Sequence, residues 1–362
     1  MTTCPVCGRE IAVSRAIGVC GDCIRTRPDE VLPDVLKCHA FYRSEHGLPP
    51  EVPHDEGGLL CRFCANACEI GEGERGFCGV RRNLEGKLVG GIQEASVNWY
   101  HDPLPTNCVA DWVCPAGTDV GYPDWSYTKG PEKGYTNLAV FYRACTFHCL
   151  NCQNWHFRDT DLDAPGATPE DLAKAVNERD SCICYFGGDP TPFFPHSLRA
   201  ARLARHANKR ILRICYETNG SMQRPFIKAM LKSALESGGI IKFDLKAYDE
   251  NLHRAMTGAS NRQTLNNFAW LAMHVKERKE YPLLIASTLL IPGLIDEREV
   301  WNLSGTIAGL NPDIPYALLA FHPESRLHDL PATSRELAEA CLVAAIKAGL
   351  RNVRLGNIHL LS

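Results

Sequence analysis

Three groups of cysteines at three different spacings constrain this chain more than any other feature: Cys4-x2-Cys7 with Cys20-x2-Cys23, then Cys61-x2-Cys64-x3-Cys68-x9-Cys78, then Cys145-x3-Cys149-x2-Cys152. In all, 18 of 362 residues are cysteine. The segment Met1 to Cys7 lacks the charged and apolar regions of a secretory signal, so the expected location is cytoplasmic. In a reducing compartment, closely spaced thiols read as metal ligands rather than disulfides. The longest nearly pure apolar run, Leu283 to Ile295, is too short to span a bilayer. With 39 basic and 42 acidic residues the net charge is -3, so there is no basic footprint for nucleic acid or an anionic membrane. An apolar content of 45% and a charged content of 22% exclude disorder and coiled coil as overall descriptions.

The first group is the arrangement in which two tight knuckles each present two thiolates to one tetrahedral ion, and zinc is the natural occupant. Four thiolates on Cys4, Cys7, Cys20 and Cys23 leave no open position, so the site serves folding or docking. In the second group, glycines at 71, 73, 76 and 79 permit the turns needed to wrap Cys61, Cys64, Cys68 and Cys78 around a centre. Irregular spacing with a distant fourth cysteine fits a four-iron four-sulfur cluster, and zinc would also be satisfied by four thiolates.

The third group follows the apolar run Leu138 to Tyr142, which reads as a buried strand. Cys145, Cys149 and Cys152 therefore lie in a loop at that strand's C-terminal end. Three thiolates hold three irons of a cube and leave the fourth without a protein ligand, and an open metal position is what separates a catalytic site from a closed one. A zinc completed by His148 or His156 is the alternative on spacing alone.

From residue 136 onward, strand-like and helix-like runs alternate. Strands are expected near 138–143, 181–186, 211–216, 239–245, 283–290 and 315–320, and helices near 169–178, 197–207, 223–236, 262–278, 297–308 and 334–348. Thr168 before Pro169 marks a helix start, and Thr333 with Glu336 reads as a capping box closed by Gly349. Six βα units imply an α/β fold with a parallel sheet curled into a partial (β/α)6 barrel, preceded by a Cys-rich metal-binding region. The expected domains are a zinc-ribbon-like module (1–37), a second metal-centre region with linker (38–134) and the barrel (135–362).

In such folds the functional groups gather at the C-terminal strand ends. There the sequence places Gly187-Gly188-Asp189-Pro190, Glu217-Thr218-Asn219-Gly220, Asp244-Leu245-Lys246, Ile291-Pro292-Gly293 and His322. Each alone has an ordinary explanation as a turn or a surface residue; five in register around one rim do not. Cys182, Cys184, Cys215 and Cys341 read as small buried packing residues. Cys108 and Cys114, in a Pro-rich connection, read as candidates to enter the active site or complete a metal centre.

These residues resemble the radical S-adenosylmethionine superfamily, through the C-x3-C-x2-C loop after the first strand and GGDP in place of its Gly-Gly-Glu. The set ETNG, DLK, His253-Arg-Ala-Met-Thr-Gly258 with Asn261, IPG and FHP is similar to the pyruvate formate-lyase activating enzymes. The stretch CEIGEGERGFCGVRRNLEGKL and the CQN after the cluster loop resemble the AmmeMemoRadiSam-system radical enzyme. The resemblance runs over roughly residues 60–362 and leaves the zinc knuckles outside it. It implies that Cys145, Cys149 and Cys152 hold a 4Fe-4S cluster whose open iron binds S-adenosylmethionine. It implies that Gly187, Gly188, Asp189 and Pro190 hold the methionine amine, Lys246 its carboxylate and His322 the ribose. Asn219 belongs to the same binding set. Glu217, Thr218 and Asp244 match positions that bind a monovalent cation. Two residues depart from the pattern: Asn151 stands where an aromatic side chain meets adenine, and Asp189 is one methylene shorter than the usual glutamate.

The expected function is reductive cleavage of S-adenosylmethionine to a 5′-deoxyadenosyl radical that abstracts hydrogen from a small-molecule or protein substrate, with an electron donor such as ferredoxin or flavodoxin. Activation of a glycyl-radical partner enzyme is the runner-up. A non-enzymatic zinc and iron-sulfur interaction module is the reading from another class.

Overall fold

The computed structural model describes residues 2–207 and 211–362. Its centre is one eight-stranded sheet whose strands follow each other in chain order. Val97–Pro103 forms one edge, antiparallel to Thr136–Tyr142. Parallel strands Asp180–Phe186, Arg213–Thr218, Ile241–Asp244, Leu284–Leu290, Tyr316–Ala320 and Val353–Gly356 continue the sheet to its other edge. Consecutive order with helical crossovers curls the sheet into a partial barrel, as the alternation of runs predicts. The six strands expected from sequence are present, with Val97–Pro103 and Val353–Gly356 added at the two edges.

The helices are amphipathic and cover the outside. Phe194–Ala207 buries Phe194, Ala200, Ala201 and Ala204, and Arg224–Ser237 buries Ile227, Met230, Leu231 and Ala234 before Gly238 ends it in a left-handed conformation. Period-2 alternation sends Tyr142, Tyr185 and Tyr216 outward, where their rings stack at 6.0 and 5.4 Å between centroids. The intervening residues of the same strands face the lumen. Thr168 caps helix Pro169–Lys174 in a reciprocal box with Asp171. The cap expected at Thr333 belongs instead to Ser334, whose side chain accepts from Leu337. Thr333 is buried, donating to the Leu290 carbonyl and accepting from the Phe321 amide.

The N-terminal part is helical where the sequence shows little periodicity. Pro28–Glu45 is one helix that runs through the boundary expected at 37/38, and Val31, Leu32 and Val35 join the barrel's core cluster. No helix among the described residues is long and apolar enough to cross a membrane.

Candidate active site and metal centres

The four N-terminal thiols converge. Cys4 Sγ lies 3.9 Å from Cys23 Sγ and Cys7 Sγ 3.7 Å from Cys20 Sγ, and all four sulfurs lie within 4.8 Å of one another. A tetrahedral ion with metal–sulfur bonds of about 2.3 Å needs sulfurs about 3.8 Å apart, so this donor set fits zinc. The backbone builds the knuckle: the Gly8 amide donates to the Cys4 carbonyl and the Cys4 amide to the Arg9 carbonyl, with Gly8 at φ +72. The module docks on the barrel through Arg25, which reaches Asp22, Asp296 and Glu299.

The second group is gathered differently. The Cys61 amide donates to the Cys68 carbonyl and the Phe77 amide to Cys68 Sγ at 3.3 Å. Cys61, Cys64 and Cys68 are buried. Four thiols gathered here suit a four-iron cluster or a zinc alike. Two buried arginines flank the group: Arg43 lies over the Phe77 ring at 3.4 Å and Arg81 over Phe63 at 3.8 Å. Both can offset the negative charge of a thiolate-held cluster. This region touches the third group: Asn66 donates to the Thr146 carbonyl and the Ala65 amide to the Ser221 carbonyl. A cavity of about 200 Å³ is lined by both Cys78 and Cys145.

The third group sits at the barrel mouth. Cys145, Cys149 and Cys152 line a cavity of about 170 Å³ together with Asn151, Gly187, Gly188, Asp189, Glu217, Thr218, Asn219, Asp244 and Lys246. Sequence reasoning placed all of these at the rim, and the structure brings them into one space. Burial pushes the Cys145 and Cys149 thiols up, the latter to about 11 with Lys246 opposing. Metal binding there must therefore release protons. Of the two histidines that could complete a zinc here, His148 packs its ring 4.9 Å from that of Tyr42.

Other expected residues take more specific places. The buried Asp189 carboxylate accepts from the Thr191 amide at 2.7 Å, the Asn219 amide at 2.8 Å and the Thr218 hydroxyl at 3.0 Å. It thereby laces the second strand loop to the third, and burial pushes it up against those bonds. Gly187 and Gly188 have φ of +62 and +57. A methyl on Gly188 would meet the Tyr142 carbonyl at 2.0 Å, so only glycine allows this close approach. Burial alone would push Lys246 down; Asp244 beside it holds it above the ordinary lysine value. Asn151 is buried, and its Oδ1 has no partner among the described residues.

The structure does not bring His322 into this cavity. It is 54% exposed and faces Glu324 at 3.9 Å. The cation set is also divided: Glu217 pairs with Lys242 at 3.3 Å, Asp244 pairs with Lys246, and Thr218 donates to Asp189. Among the residues that sequence reasoning missed is Lys242, buried in the lumen. The structure alone reveals it, by setting it in register with Glu217 on the neighbouring strand.

Residues 139–300 match the radical SAM superfamily. The chain is 25% identical over 312 residues to an uncharacterized protein of Methanocaldococcus jannaschii, covering 84% of this chain and 83% of that one. It is 29% identical over 142 residues to the pyruvate formate-lyase 1-activating enzyme of Escherichia coli, which is 37% of this chain and 55% of that enzyme. The structure of SuiB of Streptococcus suis bound to S-adenosylmethionine superposes with a TM-score of 0.47 at 13% identity, over 60% of this chain and 49% of that one. Over residues 139–300, the greater part of the barrel, the chain is thus similar to the radical SAM superfamily, a family that implies a 4Fe-4S cluster and S-adenosylmethionine.

Proposed function

We propose that this protein reductively cleaves S-adenosylmethionine and uses the resulting 5′-deoxyadenosyl radical to abstract hydrogen from a substrate. The observation that carries the reading is the single cavity at the barrel mouth that holds three cluster-spaced thiols, a glycine pair at close approach and a paired lysine. Cys145, Cys149 and Cys152 hold the 4Fe-4S cluster, which supplies the electron for cleavage. Lys246 receives the methionine carboxylate, a charge-assisted contact. Asp189 keeps the Gly187 to Pro190 backbone in place for the amine, while its own carboxylate stays engaged by the loops. Asn151 offers its unpartnered Oδ1 to a donor such as the adenine amino group, which accounts for an amide at a position that usually stacks. His322 meets the ribose only after rotating away from Glu324, and a monovalent cation at Glu217, Thr218 and Asp244 would have to displace their present partners.

The second centre, Cys61 to Cys78, is a further 4Fe-4S cluster beside the first, supported by its thiol spacing and by the cavity that Cys78 shares with Cys145. The N-terminal centre is a structural zinc. A ferredoxin or flavodoxin in the cytoplasm fits as donor. A glycyl-radical partner is the second reading, favoured by the likeness to an activating enzyme. Anaerobic reconstitution followed by S-adenosylmethionine and dithionite tests the proposal: 5′-deoxyadenosine and methionine should form in equal amounts. No cleavage under those conditions would sink it, and a glycyl radical signal on an added partner would select the second reading.

A further inference from the structure

Below the mouth, the barrel lumen holds a second cavity of about 390 Å³. Phe186 and Glu217 line both spaces, so the two adjoin across those side chains. The segment Leu104 to Gly117 walls the lower cavity and bridges the sheet's two edges: Asp111 pairs with Arg354 at 2.7 Å, and Asn107 donates to Asn357 at 3.2 Å.

The wall carries Cys108, Cys114, Cys182, Cys184 and Cys215. Three of these were read as packing residues in apolar strands. Period-2 alternation instead turns Cys182 and Cys184 inward with Phe186, and Cys215 inward with Glu217. Lys242 stands among them, 2% exposed. Its Nζ lies 3.1 Å from Cys108 Sγ, 3.0 Å from Cys184 Sγ and 3.3 Å from Glu217 Oε2. Glu217 neutralises the ammonium, so the thiols need not ionise, and burial pushes both of them up. Each sulfur accepts from Lys242, which leaves its own S–H directed elsewhere. The volume suits a small organic molecule.

We propose that the lower lumen is the substrate cavity and that Cys184 and Cys108 return a hydrogen atom to the carbon radical formed there. The proposal rests on the cleavage reading above and deepens it. The 5′-deoxyadenosyl radical takes a hydrogen atom from a substrate C–H bond. The substrate radical takes the hydrogen atom of a cysteine S–H bond, which is weaker than the C–H bond it forms. The thiyl radical left behind takes one electron from the low-potential donor that reduces the cluster, and one proton from solvent. Each turnover thus consumes one S-adenosylmethionine, two electrons and one proton, and releases methionine and 5′-deoxyadenosine. The substrate leaves with unchanged composition and an inverted or rearranged carbon centre. A thiol so placed quenches a carbon radical rather than passing it on, which sets this chemistry apart from activation of a glycyl-radical partner.

The test is S-adenosylmethionine cleavage in D2O with dithionite, in thiol-free buffer and without substrate. The deoxyadenosyl radical then meets S–D bonds, and the wild type should yield singly deuterated 5′-deoxyadenosine. The double variant Cys108→Ala/Cys184→Ala should lose that label from whatever product it makes, while Cys341→Ala, in the outer helix Arg335–Lys347, keeps it. The isotopic ratio is read only on product, so a smaller folded fraction cannot mimic the loss. Unlabelled product from the wild type, or undiminished label from the double variant, overturns the proposal. Absence of 5′-deoxyadenosine from every variant would overturn the cleavage reading itself.

Discussion

Asn219 holds its side-chain amide 3.6 Å from Cys145 Sγ while donating to Thr146 Oγ1 at 2.8 Å. The loop after strand Arg213–Thr218 thus supplies a hydrogen-bond donor beside the sulfur proposed to hold the first cluster. Donors to sulfur stabilise the reduced, more negative cluster and raise its potential. Asn219→Asp removes the donor and adds a negative charge with little change of shape. It should move the midpoint of the first cluster to more negative potential by an amount on the order of 1 kcal/mol. Potentiometric titration followed by electron paramagnetic resonance reads the shift; an unchanged midpoint would place Asn219 in a purely structural role.

The N-terminal four-cysteine module and the barrel meet at two glycines. The Gly21 amide donates to the Gly293 carbonyl at 3.0 Å, and a methyl on Gly21 would approach that oxygen to 2.9 Å. Gly293→Val forces a side chain onto the Ala12 carbonyl, at a φ of +79 that disfavours one. It should lower thermal stability while leaving metal content intact. Reconstituted wild type should hold about eight irons and one zinc, on the arithmetic of two cubes and one tetrahedral site. Cys4→Ser/Cys7→Ser should lose the zinc alone. Iron lost with it would show that the centres share ligands.

Much of the barrel was legible because local and global signals agree: apolar runs of strand length, Thr168 before Pro169, and glycines at strand ends. The rim was legible for the same reason, since every conspicuous polar motif falls at a C-terminal strand end. The lumen was not. Cys182 and Cys184 flank Ile183 in a run without polar residues, and only the pairing that faces Cys184 with Cys215 and Glu217 with Lys242 shows which side of the strand is inside. Helix Pro28–Glu45 was hidden because its apolar positions are scattered, and its place comes from packing on the barrel. The direction of His322 was not legible either, because position in a motif does not fix where a side chain points, and here it faces Glu324.

Glu132 and Arg213 form a buried fork, with contacts of 2.5 and 3.0 Å. Burial pushes the Glu132 carboxyl up, and Arg213, Ser181 and the Tyr127 amide together more than offset it, so it lies below the ordinary glutamate range. A depressed folded value means that the pair's contribution is complete above the unfolded glutamate value, near 4.3, and fades as pH falls through the folded one. Glu132→Gln should therefore cost about 3 to 5 kcal/mol at neutral pH and less at acid pH. Denaturant unfolding at both pH values reads the difference; equal loss at both would show that the charge is not what matters.

Lys246→Ala should weaken S-adenosylmethionine binding by roughly 1.5 to 3 kcal/mol, the range for a hydrogen bond to a charged group. Calorimetric titration of the reconstituted, unreduced protein reads it directly. Unchanged affinity would leave Lys246 as the partner of Asp244 alone.

The central claim is that Cys145, Cys149 and Cys152 hold the cluster that cleaves S-adenosylmethionine. The direct test is 5′-deoxyadenosine formation by reconstituted Cys145→Ala, Cys149→Ala and Cys152→Ala proteins beside the wild type, with iron and zinc measured on the same samples. Each variant should lose cleavage and the iron of one cluster while keeping its zinc and its folded barrel. Cleavage at the wild-type rate in any one of the three would contradict the account.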